Sequence, residues 1–162
     1  MKRLAFGLVL LTSIVLLVGC VTFKKEFQIY EPVDQISGIE IYYIDPSGDS
    51  IHDIDEAMEP VKVIGDELYG EITDDLEELV FEDMIPLFAP SDPTFRICGF
   101  IIRIEYLSGV YQLVCNSGTN YTYDASDFVE SFHGTTEREV WNRLIIKYIG
   151  RKAYDSIVSA ES

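Results

Sequence analysis

Asp49-Ser50-Ile51-His52-Asp53-Ile54-Asp55-Glu56 is the densest run of possible metal ligands in the chain. Carboxylates two residues apart on a loop can share a hard cation, and Ca²⁺ takes about six to eight oxygens. Asp49, Asp53, Asp55 and Glu56 are therefore the candidate metal residues, with Ca²⁺ the only cofactor they suggest. The run lacks the Asp-x-Asp-x-Asp-Gly order closed by a bidentate Glu, and a solvated acidic loop accounts for it more simply. Asp74, Asp75, Glu77 and Glu78 share a helical segment with an apolar opposite face. A catalytic carboxylate pair needs one member buried enough to raise its pKa, which an exposed face does not supply. His133 near Ser131 could be combined with Ser117 or Ser126 and an acid into a hydrolytic triad, but no Gly-x-Ser-x-Gly elbow presents a nucleophile. The sequence shows no Gly-rich phosphate cradle, Cys-x-x-Cys or His-Glu-x-x-His, and no catalytic residue is assigned. Tyr42, Tyr121 and Tyr123 are the candidate binding residues, because tyrosines on the outward side of a sheet can recognise a peptide or sugar.

These residues depend on a framework of alternation and helical spacing. Ile39, Ile41 and Tyr43 fall on one side of a strand, with Glu40 and Tyr42 on the other. Asp45-Pro46-Ser47-Gly48-Asp49 is turn chemistry, and Val61–Val63 reads as a second strand with Pro60 placing it near an edge or at a strand start. Thr73 is the expected N-cap of a helix carrying Ile72, Leu76, Leu79 and Val80, limited by Pro86. Cys98, Phe100, Ile102, Ile104 and Tyr106 alternate with Arg103 and Glu105. A two-residue Ser108-Gly109 turn would then bring Tyr111, Leu113 and Cys115 onto the same apolar face. That register pairs 104 with 113 and sets Cys115 opposite Ile102, leaving Cys98 about 13 Å away, too far for a disulfide. Both cysteines then read as small core residues. Asn116–Thr119 is a second turn before a strand at 120–123, and 124–132 reads as a short helix or loop. Thr136 and Glu139 form a capping-box pattern before Val140, Trp141, Leu144, Ile145 and Tyr148, with Gly150 as the stop.

The start of the chain is a different kind of segment. Lys2 and Arg3 precede an apolar stretch, Leu4–Val18, which closes on Gly19-Cys20. Fifteen residues at 1.5 Å each cover about 22 Å, short of the ~30 Å hydrocarbon core, so the stretch suits a secretory signal better than a membrane span. Leu17-Val18-Gly19-Cys20 resembles the lipobox of bacterial lipoproteins. The resemblance implies cleavage between Gly19 and Cys20 and acylation of the Cys20 thiol. It places the protein in the cell envelope, lipid-anchored on the extracytoplasmic face, at the cell membrane or at an outer membrane where one exists. Two or more buried acyl chains hold a protein stably, at about 0.8 kcal/mol per CH₂, so the folded part needs no membrane-binding surface of its own.

Removing residues 1–19 leaves 143 of the 162 residues, a size that suits one domain, and takes away Lys2 and Arg3 but no acid. The net charge thereby moves from −16 to −18. Such a field disfavours nucleic acid and anionic lipid as partners. It is compatible with a basic protein or peptide partner, with divalent ions, or with solubility alone.

The body is similar to small acidic cell-surface lipoproteins. The similarity lies in Glu31-Pro32-Val33, the Ile39-Glu40-Ile41 strand, an acidic helix, an aromatic-rich hairpin and a last helix ending in Lys147-Tyr148. It implies an α+β domain and transfers no functional residue. The expected organisation is a cleaved signal peptide (1–19), a lipidated cysteine and tether (20–35), one α+β domain (36–150) and a flexible tail (151–162). Within the domain, an antiparallel sheet of about four strands carries two helices on one face. The expected role is a non-catalytic binding or accessory lipoprotein. The alternatives are a Ca²⁺-binding or acid-lined hydrolase module, or an immunity or inhibitor lipoprotein for a basic partner.

Overall fold

The computed structural model describes residues 20–45, 58–86, 99–116, 120–123, 128–132 and 136–160. The alternating segment gives β2 (Ile36–Ile44), preceded in the chain by β1 (Cys20–Glu26) and followed by the two-residue β3 (Lys62–Val63). Helix α1 (Tyr69–Glu77) leads directly into β4 (Val80–Pro86). Four strands follow: β5 (Gly99–Tyr106), β6 (Tyr111–Cys115), β7 (Asn120–Tyr123) and β8 (Phe128–Phe132). The chain ends in α2 (Arg138–Ile149) and α3 (Arg151–Ser159). β1 and β4 pair as a separate ribbon, and the main antiparallel sheet runs β3-β2-β5-β6-β7-β8. The α+β class is as expected. The sheet extends beyond the expected four strands because Phe128–Phe132, read from sequence as helix or loop, pairs with β7 as its outermost strand.

Both faces of the central strands are buried. On one face Ile39, Ile41, Ile102 and Ile104 are completely covered by Ile72 and Leu76 of α1 and Trp141 and Ile145 of α2. Burying each such side chain contributes roughly 1.5–3 kcal/mol. On the other face Tyr42, Ile44, Ile101, Leu113 and Cys115 form a second cluster with Met58 and Tyr111 against it. The unbroken run Phe100-Ile101-Ile102 follows from this, because a strand covered on both sides is apolar on both sides.

The β5–β6 hairpin differs from expectation by one residue. Its loop has three residues, Leu107–Gly109: the Tyr106 amide donates to the Val110 carbonyl at 2.9 Å, and the Gly109 amide to the Tyr106 carbonyl at 2.9 Å. Gly109 has φ 86°, the left-handed position that ends a three-residue hairpin loop. Ile102 therefore pairs with Val114 and Ile104 with Gln112. A one-residue shift turns every β6 side chain over. Tyr111, Leu113 and Cys115 lie on the Ile101 side rather than on the Ile102 side, and Gln112 and Val114 take the helix-facing positions. Cys98 lies outside the described residues.

Two segments expected to lack regular structure, 20–26 and 151–159, form a strand and a helix. Residues 20–26, expected as part of a tether, pair with β4 along the whole strand from Cys20–Pro86 to Glu26–Val80. Phe27 is 3% exposed and its amide donates to the Leu79 carbonyl, because an aromatic side chain at this point finds space in the core. The expected flexible tail forms α3, whose Tyr154 and Ile157 pack against the helix-side core. Gly150 (φ 85°) does stop α2 as expected, but the chain re-enters a helix at once.

Two expected caps are not formed. α1 begins four residues before Thr73, whose hydroxyl donates instead to the carbonyls of Tyr69 (2.8 Å) and Gly70 (2.9 Å) inside the helix. Val80, expected on that helix, opens β4. α2 is capped at Glu137 without a side-chain hydrogen bond, and Thr136 is buried one residue earlier.

Candidate functional site

Several expected site residues lie outside the described residues: Gly19, the acidic run with Asp49, His52, Asp53, Asp55 and Glu56, and Ser117, Ser126 and His133. Cys20 occupies the first position of β1, opposite Pro86. The register places the three tyrosines on one face of the main sheet: Tyr121 stands opposite Leu113, Tyr123 opposite Tyr111, and Tyr42 opposite Ile101. Tyr42 is 5% exposed, however. The expectation that it presents an outward recognition surface is overturned, because the Ile101 face is itself a core.

A polar cluster interrupts that face beside Tyr42. Glu40 of β2 stands directly across from Arg103 of β5. The Tyr42 hydroxyl donates to the Glu40 carboxylate, and Arg103 Nη2 lies 2.6 Å from Glu105 Oε1. The Arg103 guanidinium sits 4.9 Å above the centre of the Tyr111 ring, a cation–π arrangement. Its Nε is buried with no hydrogen-bond partner among the described residues. Burial first, and the Glu40 carboxylate second, push the Tyr42 hydroxyl up to about 12. Next to this cluster is a concavity of about 230 Å³, lined by Arg103, Glu105 and Tyr111 together with Tyr106, Gly109 and Val110 of the hairpin end. A guanidinium, a carboxylate and an aromatic ring can hold a small polar group there. In sequence Arg103 is an ordinary polar residue of an alternating strand, and no sequence signal sets it apart.

A second cleft, about 600 Å³, lies between the β1–β4 ribbon and the start of α2. Glu78, Glu82 and Glu137 line it with Lys24, Val80, Thr136 and Val140, and Lys24 is paired with Glu82 at 2.6 Å. Among the described residues no three His, Cys, Asp or Glu side chains are placed to hold a metal ion.

The acidic helix face has a structural use. Asp75 of α1 accepts from both Lys147 and Tyr148 of α2, and Lys147 also pairs with Glu71 at 2.8 Å. Asp75 and then Glu71 raise the Lys147 pKa, and burial followed by Asp75 raises that of Tyr148. These contacts clasp two helices, while Asp74, Glu77 and Glu78 stay exposed as expected. No protein family, curated protein or solved structure matches the chain.

Proposed function

We propose that the protein is a membrane-anchored, extracytoplasmic lipoprotein, attached through an acylated Cys20, that serves as a non-catalytic binding or accessory protein. The observation that carries this reading is the Leu17-Val18-Gly19-Cys20 sequence after a basic start and an apolar stretch too short to span a bilayer.

The Arg103–Glu105–Tyr111 concavity is the candidate contact point for a small polar group of a partner.

Cys20→Ser tests the anchor. The unaltered protein fractionates with membranes and partitions into detergent. The variant, which offers no thiol, accumulates with its signal segment uncut and carries no acyl chain. Recovery of the unaltered protein as a soluble, unacylated species would overturn the reading.

A further inference from the structure

The chain that leaves β1 runs along one end of the main sheet and meets the β5–β6 loop there. The Leu107 amide donates to the Gln35 carbonyl at 2.8 Å, and Ser108 Oγ donates to Glu31 Oε1 at 2.5 Å. The Tyr30 amide donates to the Tyr106 hydroxyl and to Gln112 Oε1, each at 3.1 Å, and the Tyr30 ring lies 6.0 Å from that of Tyr106. Among the described residues six large hydrophobic side chains are exposed, and three belong to this junction: Leu107 at 68%, Tyr30 at 45% and Val33 at 37%. The other three, Val63, Val80 and Val158, stand on three separate elements. Scattered exposed apolar residues are ordinary, whereas several gathered at one place with a polar rim mark a contact surface.

We propose that this junction is a docking surface for a basic, partly apolar segment of a protein partner. Apolar side chains of the partner rest on Tyr30, Val33 and Leu107, and one lysine or arginine enters the adjoining Arg103–Glu105–Tyr111 concavity. The proposal deepens the binding reading above by naming the partner's chemistry, and it makes no use of the anchor. Charge selects the partner. Glu31 and Asp34 lie on either side of Val33 in the chain. At the concavity Glu40 and Glu105 outnumber Arg103, which is already paired with Glu105. This end therefore carries excess acid within a chain of net charge −16. Such a field draws in a basic partner and repels nucleic acid, anionic lipid and a second copy of the chain.

Two further features suit that occupant. The concavity of about 230 Å³ is walled by Tyr106 and Val110 as well as by Glu105. Lysine and arginine lay an apolar stem along apolar walls and keep the charged head apart from them, so the lining serves both parts of such a side chain. Gly109 in the same lining leaves open space, where an added Cβ would meet nothing within 4 Å. The surface is also fixed before a partner arrives, because hydrogen bonds hold the backbone at Tyr30 and Leu107. Docking then orders little chain, which favours affinity.

Site-mapped photocrosslinking tests the proposal. The full chain, produced in a bacterium and purified in detergent, is irradiated with a short peptide of lysine and leucine that carries a central benzoylphenylalanine. Peptides with serine in place of leucine, or glutamate in place of lysine, are the controls. The lysine–leucine peptide is expected to attach within residues 30–35 and 105–111, with a yield about tenfold above either control. Leu107→Ser and, separately, Val33→Ser should each lower that yield several-fold, and Val158→Ser on α3 should leave it unchanged. Added salt should lower it too, because the charge attraction is screened. An equal yield with the lysine–serine peptide, attachment centred elsewhere or no attachment overturns the surface. Self-association in sedimentation that Leu107→Ser abolishes also overturns it, because a second copy would then be the occupant. Attachment centred on another cleft leaves the binding reading standing without this surface. The acyl mass on Cys20, read from the same sample, decides the anchor separately.

Discussion

The hydroxyl of Tyr106 donates to the side-chain oxygen of Gln112 at 2.8 Å, with Tyr106 2% and Gln112 1% exposed. The same Gln112 oxygen accepts the Tyr30 amide at 3.1 Å, and the Gln112 side-chain amide donates to the Gln28 carbonyl at 2.8 Å. One buried glutamine thus fixes the segment after β1 onto the hairpin. The expected register, with Tyr111, Leu113 and Cys115 on the apolar face, leaves Gln112 on the opposite side of β6. The three-residue loop turns it inward, and its hydrogen bonds make that position tolerable.

Gln112→Leu keeps the volume and removes the bonds. It strands the Gln28 carbonyl and leaves Tyr106 and Tyr30 with one partner fewer. Each unsatisfied buried group costs roughly 1–3 kcal/mol, so the expected loss is about 2–3 kcal/mol in urea unfolding with an unchanged slope. Hydrogen exchange at the Tyr30 amide should accelerate beyond the global loss, because the segment is released locally.

Alkaline pH should weaken the fold. Burial holds the Tyr106 hydroxyl up to about 12, and Tyr42 is raised to about 12 by burial and Glu40. An unfolded tyrosine titrates near 10. The folded state keeps its protons longer, so this stabilisation is complete below about pH 10 and lost as pH rises from about 10 to about 12. Unfolding midpoints measured across that window should fall, and tyrosinate absorbance should rise in step with unfolding. A midpoint that stays level there would contradict the burial of both hydroxyls.

Gly109→Ala tests what sets the hairpin register. A Cβ at this position meets nothing within 4 Å, so the penalty comes from the backbone alone. Holding alanine at φ 86° should cost about 1–2 kcal/mol, read from chemical denaturation. Gly109→Asn should recover part of that, since asparagine tolerates the left-handed region better.

The docking of α3 can be measured as a coupling. The Tyr154 ring stacks on Phe100 with centroids 5.2 Å apart at 18°. A double-mutant cycle of Tyr154→Leu and Phe100→Leu should give a coupling of about 1 kcal/mol. Additive losses would mean that the last helix does not rest on β5.

What could be read from the sequence was local and periodic. The alternation in β2 and β5, the edge position of β3, the apolar stripe of α2 and the stop at Gly150 all appear where their residue types put them. The structure departs from these local patterns where tertiary contacts decide. A single residue in the Leu107–Gly109 loop moved Cys115 and Leu113 to the other face. Thr73 resembles a cap, yet its hydroxyl bonds back into a helix begun at Tyr69. Residues 20–35 read as a tether, but pairing with β4 is non-local and leaves little periodic trace. Of the candidate site, the Arg103 cluster was not legible, because Glu40, Arg103 and Tyr111 come from three strands that only the register brings together.

The anchor is the central claim, and the mass of the N-terminal peptide recovered from bacterial envelope membranes tests it most directly. The account predicts a peptide beginning at Cys20 and heavier than its sequence by a diacylglyceryl group, with residues 1–19 gone. A mature chain that begins at any other residue, or that begins at an unmodified Cys20, would contradict it.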